Sequence, residues 1–400
     1  MNLIFLTLYY IPDIELRGLY HDLMRKFRDE GHQVYIVTPC ERRMGLNTSL
    51  EEKNGVKILN VKTLNIQKTN VIEKGIGTLL MERQYKAAIK KYFRGIKFDL
   101  ITYSTPPITF TNVVRYLKRK NPNALTYLQL KDIFPHNAVD IGMFGEKSVL
   151  NWYFRRKEKA LYQVSDYIGC MSPANVKYVV EHNPEVDASK VEVAPNSVEL
   201  TNSEVPNVLV KNAIREKYGI PVDKPVLIYG GNLGKPQGID YLIKCLDANK
   251  ERKDCYFVVV GSGTEQQKIQ TWYDTNKPEN TTVLKALPKA DYDTLVQTCD
   301  VGLIFLDHRF TIPNYPSRLL SYLEYKMPVL CATDPNTDMG RIAEENGYGY
   351  WCESVKPEDF TALVDKMLAS DRMAMGEKGY QFLKENYLVE HTYNAIMRHF

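Results

Sequence analysis

Short apolar runs alternate along this chain with longer stretches of helical period. Asn2 to Leu8 is an apolar run that ends in a Pro-containing loop, Tyr9 to Asp13. Leu16, Leu19, Tyr20, Leu23, Met24 and Phe27 then recur at helical spacing and stop at Gly31, a residue suited to a helix C-terminus. Val34 to Val37 is the next run. Strand, helix and strand in that order predict a parallel pair joined by a helical crossover. The same reading gives strands at Val56 to Asn60, Phe98 to Tyr103, Leu125 to Leu130, Tyr167 to Met171 and Val191 to Ala194. Between them fall a long helix from Ile72 to Phe93, a helix ending at Arg119-Lys120, and a helix around Arg155-Arg156-Lys157.

From about Pro195 to Pro225 the chain is polar, with one short helix, and reads as a linker region. The alternation then restarts, with strands at Pro225 to Tyr229, Tyr256 to Val260, Val283-Leu284, Val301 to Leu306 and Val329 to Cys331. Pro357 to Phe400 is helical throughout in pattern. The expected class is α/β, with two doubly wound Rossmann-like domains facing a cleft. The expected bounds are 1–200 and 201–385, with a last helix at 386–400 packing back on the first domain.

Ligands of such sheets sit beyond the carboxyl ends of the strands. In the second half, Gly230-Gly231-Asn232-Leu233-Gly234-Lys235-Pro236-Gln237-Gly238 is a glycine-rich loop whose N–H groups and Lys235 suit a phosphate. After Leu306 comes a polar loop and a helix expected to start near Pro316. Ser317 and Glu324 lie two turns apart on one face, about 10 Å along the axis. That spacing roughly matches a diphosphate and a ribose, with Arg318 adding charge. The plain alternative is an amphipathic helix with a capping Ser and a surface Glu. In the first half, Asp132 and His136 follow a strand, where an Asp can orient or deprotonate a hydroxyl and a His can pair with phosphate. A helix cap is the other reading of Asp132. The Tyr9 to Gly18 loop, with Arg17 and Gly18, is a candidate site wall; it carries no GxGxxG fingerprint.

Composition narrows the class. Of the 400 residues, 44% are hydrophobic and 25% charged, as in soluble globular proteins. No apolar run approaches the roughly 20 residues that span a bilayer. Met1 to Tyr10 has no basic lead and reads as a strand, not a signal peptide. Seven scattered cysteines without CxxC spacing point to reduced thiols, with no zinc site. The net charge of +4 is unevenly spread: residues 1–200 hold 29 basic and 21 acidic side chains, and residues 201–400 hold 23 and 27. A basic first half suits an anionic partner. Ile72 to Phe93 carries Lys74, Arg83, Lys86, Lys90 and Lys91, with Arg94 following. Ile76, Leu79, Leu80, Ile89, Tyr92 and Phe93 are interleaved. Such a helix either lies on an anionic membrane surface or shows a solvated basic face. The expected place is the cytoplasm, with peripheral attachment to the inner membrane's cytoplasmic face left open. No nucleic-acid partner is expected.

With these residues in view, the chain resembles the retaining glycosyltransferases of family 4, of GT-B architecture. The resemblance rests on Gly31-His32-Gln33-Val34, Asp99-Leu100, Asp132-Ile133-Phe134-Pro135, Ala194-Pro195-Asn196-Ser197, Tyr229 to Gly238, Gly261-Ser262-Gly263-Thr264 and Pro316 to Val329. A Thr-Pro-Pro segment at Thr105 to Pro107 is similar to a bacterial polysaccharide-assembly branch. Three positions depart from the family pattern. The first Glu of its E-x7-E pair falls on Pro316, with Glu324 matching the second. Its donor-phosphate Arg and Lys fall on Asn232 and Gln237, and its His before the Asp falls on Lys131.

The resemblance implies a metal-independent enzyme without cofactor. It would move a sugar from a nucleoside diphosphate, taken as UDP, to a hydroxyl of a glycan or polyprenyl-diphosphate-linked acceptor, with retention. The catalytic set is then Asp132, Lys235 and Arg318. The donor set is Gly230, Gly231, Asn232, Lys235, Gln237, Leu287, Pro316, Ser317, Arg318, Leu319 and Glu324. The acceptor set is Arg17, Gly18, Asp132, His136 and Asn137. The alternatives are a nucleotide-sugar 2-epimerase of the same architecture and a non-catalytic nucleotide-sugar-binding scaffold.

Overall fold

The apolar runs become the strands of two sheets. The structure, a computed structural model, describes residues 1–66, 69, 71–201 and 206–400, and only the backbone of 71, 72 and 74. Ile72 and Lys74 therefore lie outside the described side chains. Contacts divide the chain into two units, one of 1–199 with 388–400 and one of 200–387.

In the first unit the elements run β1 (Asn2–Leu6), α1 (Leu19–Asp29), β2 (Gln33–Glu41), β3 (Ser49–Lys53), β4 (Val56–Thr63), α2 (Val71–Tyr92), β5 (Leu100–Ser104), α3 (Thr111–Lys120), β6 (Leu125–Leu130), α4 (His136–Asp140), α5 (Val149–Val164), β7 (Tyr167–Cys170), α6 (Pro173–His182) and β8 (Val191–Val193). The sheet order is β3-β4-β2-β1-β5-β6-β7-β8, parallel except for β3 against β4. Strand β1 lies between β2 and β5, so the order reverses there and a crevice opens at its carboxyl end.

The second unit runs α7 (Val208–Lys217), β9 (Val226–Asn232), α8 (Ile239–Ala248), β10 (Tyr256–Ser262), α9 (Gln266–Asn276), β11 (Thr281–Lys285), α10 (Lys289–Val296), β12 (Val301–Phe305), α11 (Arg318–Glu324), β13 (Val329–Thr333), α12 (Met339–Glu345), β14 (Gly349–Glu353), α13 (Pro357–Ala369) and α14 (Arg372–Asn386). Its sheet is wholly parallel, in the order β11-β10-β9-β12-β13-β14. The reversal falls between β9 and β12. A last helix, α15 (Val389–Met397), belongs to the first unit. It lays Val389, Ala395 and Ile396 into the core against Leu23, Met24 and Phe27 of α1. Tyr393 stacks edge-on to Phe27 at 4.9 Å and meets His32 at 3.0 Å.

Several expectations shift. Strand β2 runs on to Glu41, four residues past its apolar run, because Thr38 to Glu41 pair with Asn60 to Thr63 of β4. The edge strand β3 has a mostly exposed, charged sequence that gives no alternation; the Asn54-Gly55 turn, with both residues at positive φ, closes its hairpin. Strand β14 is not among the strands expected from the apolar runs. The glycine loop is shorter than expected, since β9 includes Gly230, Gly231 and Asn232. Helix α11 starts two residues late: Leu319 and Leu320 bond back to Pro316 and Ser317 in a tight first turn, and Ser317 makes no side-chain cap. Helix α2 takes both readings of its pattern. Ile89 and Phe93 are core residues, Phe93 packing on Tyr35, whereas Ile76, Leu79 and Leu80 face outward. All seven cysteines are buried and free.

Candidate functional site

At the carboxyl end of β9 the chain must come close to a neighbour. Gly231 has φ +120°, open only to glycine, and a Cβ there would sit 3.7 Å from the Arg318 guanidinium. Arg318, the first residue of α11, packs its guanidinium carbon 4.5 Å from the centre of the Tyr229 ring. Tyr322, one turn on, accepts the Gly230 N–H at 3.3 Å. A Cβ on Gly230 would lie 2.1 Å from the Tyr292 hydroxyl oxygen. Arg318 is thus boxed by Tyr229, Tyr292 and Tyr322. Burial pushes the Tyr292 phenol up to about 12, so these rings are neutral and do not balance the cation. Among the described residues Arg318 has no carboxylate partner, and its buried Nη1 has no acceptor. Arg318 is itself half-buried, so the cost falls on the shielded Nη1 edge, and a ligand anion there relieves it.

Around this cation the expected donor residues divide. Asn232 and Gln237 bond to each other at 2.8 Å, an amide pair where the family pattern has cations. Leu319 is fully buried and its N–H turns to Pro316, so its side chain belongs to the core. Ser317 is exposed, and Leu287 is half-buried in the loop after β11. Glu324 is buried, and its Oε1 accepts from the Thr201 N–H at 3.0 Å and the Thr201 hydroxyl at 2.9 Å. Lys235 is exposed and lines a separate cavity of about 440 Å³ with Lys244, Lys268, Asp307 and Arg309; Ser317, Arg318 and Glu324 do not reach it. Lys235 and Arg318, the two cations expected for the donor diphosphate, therefore do not meet in that cavity. The loop before α11 is fixed from β13 onward, where Asp334 accepts from Thr337, Thr337 accepts from the Asn314 N–H, and Asn336 donates to Phe310.

In the first unit the carboxyl ends of β5 and β6 meet. The Thr105 hydroxyl accepts from the N–H groups of Lys131 and Asp132, at 3.0 and 3.2 Å. Asp132 does not cap α4, which begins at His136 after Pro135 without a side-chain cap. It accepts instead from Asn137 Nδ2 at 2.6 Å, while burial pushes its carboxyl up to about 6. Asn137 Oδ1 is buried with no partner among the described residues. Lys131 donates to Ala194 O and Pro195 O, both at 3.1 Å, and burial pulls its ammonium down to about 7. Asp132 and Asn137 are therefore brought together, whereas the Lys131 ammonium is held by Ala194 and Pro195. His136 turns away, edge-on to Tyr178 at 5.8 Å, and burial lowers its basicity. Gly18 gives its N–H to Asp22, and Arg17 is half-buried beside it. Sequence reasoning missed the tyrosine box, because Tyr229, Tyr292 and Tyr322 come from three separate elements. It noted Lys131 only as a departure. Among the described residues no three His, Cys, Asp or Glu side chains are grouped to hold a metal.

The family model for glycosyl transferases group 1 matches residues 210–382, and that for glycosyltransferase family 4 matches 19–202. WbjE of Pseudomonas aeruginosa, described as a probable glycosyltransferase, is 22% identical over 274 residues, 65% of this chain and 64% of that protein. WcaI of Escherichia coli strain K12, named for colanic acid biosynthesis glycosyl transfer, is 22% identical over 254 residues, 62% of this chain and 60% of its own. The match thus spans somewhat less than two-thirds of each relative's length. Anabaena HepE, solved with UDP and glucose, superposes with a TM-score of 0.69 at 13% identity, over 99% of this chain and 98% of its own. With the two sheets, their order reversals and both family models in agreement, the chain belongs to the family 4 glycosyltransferases, with the GT-B fold.

Proposed function

We propose that this protein transfers a sugar, with retention, from a nucleoside diphosphate to a hydroxyl of a glycan or lipid-linked glycan. The observation that carries the reading is Arg318, a half-buried cation with an unanswered, buried Nη1 near the strand-order reversal of the second unit. A diphosphate supplies the missing anion. As the bond from the anomeric carbon to the diphosphate breaks, charge builds on the departing oxygens, and a fixed guanidinium stabilises it without reorganising. The acceptor oxygen bonds to the anomeric carbon from the same face, and its proton passes to the leaving diphosphate. Glu324, two turns along from Ser317, takes the ribose hydroxyls in exchange for part of its hold on Thr201. In the first unit the Asp132 carboxylate, aimed by Asn137, orients the acceptor hydroxyl. UDP is the nucleotide we favour; HepE, of the same fold, was solved with UDP and glucose. The colanic acid naming of WcaI supports a surface glycan as product.

The test is thermal unfolding with a panel of UDP-, GDP- and dTDP-sugars, because a ligand bound only by the folded state stabilises it by mass action. A rise with UDP-sugars alone, abolished in Glu324→Ala while the fold is kept, is the expected result. No rise with any nucleotide sugar would sink the donor assignment. A sugar epimerised and released without acceptor would replace transfer by epimerisation.

A further inference from the structure

A second concentration of positive charge lies on the first unit, away from Asp132. Helices α2, α3 and α5 enclose a surface cavity of about 500 Å³ whose lining includes Arg83, Lys86, Arg119 and Lys157. Its one acidic side chain, Glu82, is already spent. Both its carboxylate oxygens accept from the start of α3: from the Asn112 N–H, from Val113 N–H at 3.2 Å, and from Asn112 Nδ2 at 2.8 Å. The four cations have no carboxylate partner among the described residues, although nearby Lys118 and Arg155 are paired with Asp166 and Glu158. Aromatic faces hold the ammonium groups in place without neutralising them. Lys86 and Lys90 sit 5.5 and 5.3 Å from the centre of the Tyr116 ring, and Lys157 sits 5.5 Å from that of Tyr153.

The rim supplies the other half of the argument. On the outward face of α2, Ile76 (49% exposed), Leu79 (48%) and Leu80 (36%) precede Arg83 and Lys86. The start of α5 adds Val149, Leu150 and Trp152, all largely exposed. Apolar side chains held out to water beside unpaired cations match a molecule with a greasy chain and an anionic head. A soluble phosphate would use the cations and leave the leucines unexplained. A diphosphate that links a lipid to a glycan carries about two negative charges, as a terminal phosphate does, whereas a lipid phosphodiester carries one. Four cations around one cavity suit the former.

We propose that the groove among α2, α3 and α5 binds the diphosphate of a membrane lipid, whose chain lies along Ile76, Leu79 and Leu80. This deepens the transferase reading, and rests on it for why a lipid-linked acceptor should come to this protein.

Flotation of the full chain with three vesicle types decides it: phosphatidylcholine alone, phosphatidylcholine with phosphatidylglycerol, and phosphatidylcholine with a long-chain polyprenyl phosphate at matched surface charge. UDP binding is measured on the same samples. The expected result is at least tenfold tighter binding to polyprenyl phosphate vesicles than to phosphatidylglycerol vesicles, with inorganic pyrophosphate competing. The variant Arg83→Gln/Arg119→Gln/Lys157→Gln should lose at least tenfold and keep UDP binding; Arg83→Lys/Arg119→Lys should retain most of the affinity. Leu79→Ser/Leu80→Ser should weaken vesicle binding but leave inhibition by pyrophosphate unchanged. Equal affinity for the two anionic vesicles, or for parent and triple variant, would overturn the site. So would preference for a single-stranded oligonucleotide over every vesicle. Loss of UDP binding in the parent protein would strike the donor reading and leave the lipid site standing on its own result.

Discussion

Replacing Arg318 by Met separates a ligand-binding cation from a structural one. Methionine keeps the apolar stem against Tyr229 and removes the charge. A charge-assisted hydrogen bond to a diphosphate oxygen is worth about 1.5–3 kcal/mol, so the loss of one corresponds to a fall in UDP affinity of about 10- to 150-fold. Folding responds differently. The variant loses a guanidinium–ring contact worth about 1 kcal/mol. It also relieves the partial desolvation of a guanidinium whose Nη1 has no acceptor. The two effects oppose each other, and the unfolding midpoint should stay within about 3 °C of the parent. Isothermal titration with UDP and a thermal melt of the same sample measure both. An unchanged UDP affinity refutes the role. So does a loss of affinity accompanied by a large fall in melting temperature, since Arg318 would then be holding the tyrosines together.

Four further outcomes are expected. Burial raises the Asp132 carboxyl to about 6, so its ionised fraction grows as pH rises through that value; turnover should climb about tenfold from pH 5 to 7, and Asp132→Asn should be slow and lack that limb. The same raised pKa means that ionisation costs stability as pH rises from about 4 to 6, so Asp132→Asn should compare better with the parent in melts at pH 8 than at pH 4. Gly230→Ala would set a methyl 2.1 Å from the Tyr292 oxygen, and chemical denaturation should show a loss of about 1–3 kcal/mol. Truncation after Tyr387 removes Val389, Ala395 and Ile396 from the core of the first unit; limited proteolysis should then cut residues 1–199 readily while sparing 200–387.

Much of the fold was legible because fully buried parallel strands are written as continuous apolar runs, as at Leu3 to Leu6 and Val301 to Phe305. Strand β3 was not, because an exposed edge strand needs no apolar face; Ser49 to Lys53 carry only one apolar side chain. The candidate site was half legible. Arg318 and Glu324 stand in one short segment, and their chemistry can be read from local spacing. What makes Arg318 unusual is the tyrosine enclosure, built from β9, α10 and α11, and no local pattern encodes a contact of that kind. Asp132 could be read as a cap or as a site residue, since both place an acid after a strand. The structure removes the cap reading, because α4 opens at His136 without a side-chain cap and Asp132 accepts from Asn137 instead. The interleaved pattern of α2 is a superposition of two faces, one packed on Tyr35 and one turned to solvent.

The return of the chain at Leu388 bears on the order in which the protein can be made. A ribosome delivers residues 1–199 first, but the groove on α1 stays open until α15 emerges, after all of residues 200–387. The second unit can therefore close its core while the first still shows Leu23, Met24 and Phe27 to water. Early in synthesis the first unit is the sticky partner, and its completion is a long-range event, slow by the measure of sequence separation. Pulse-labelled nascent chains should accordingly gain protease resistance in the later-made unit before the earlier-made one.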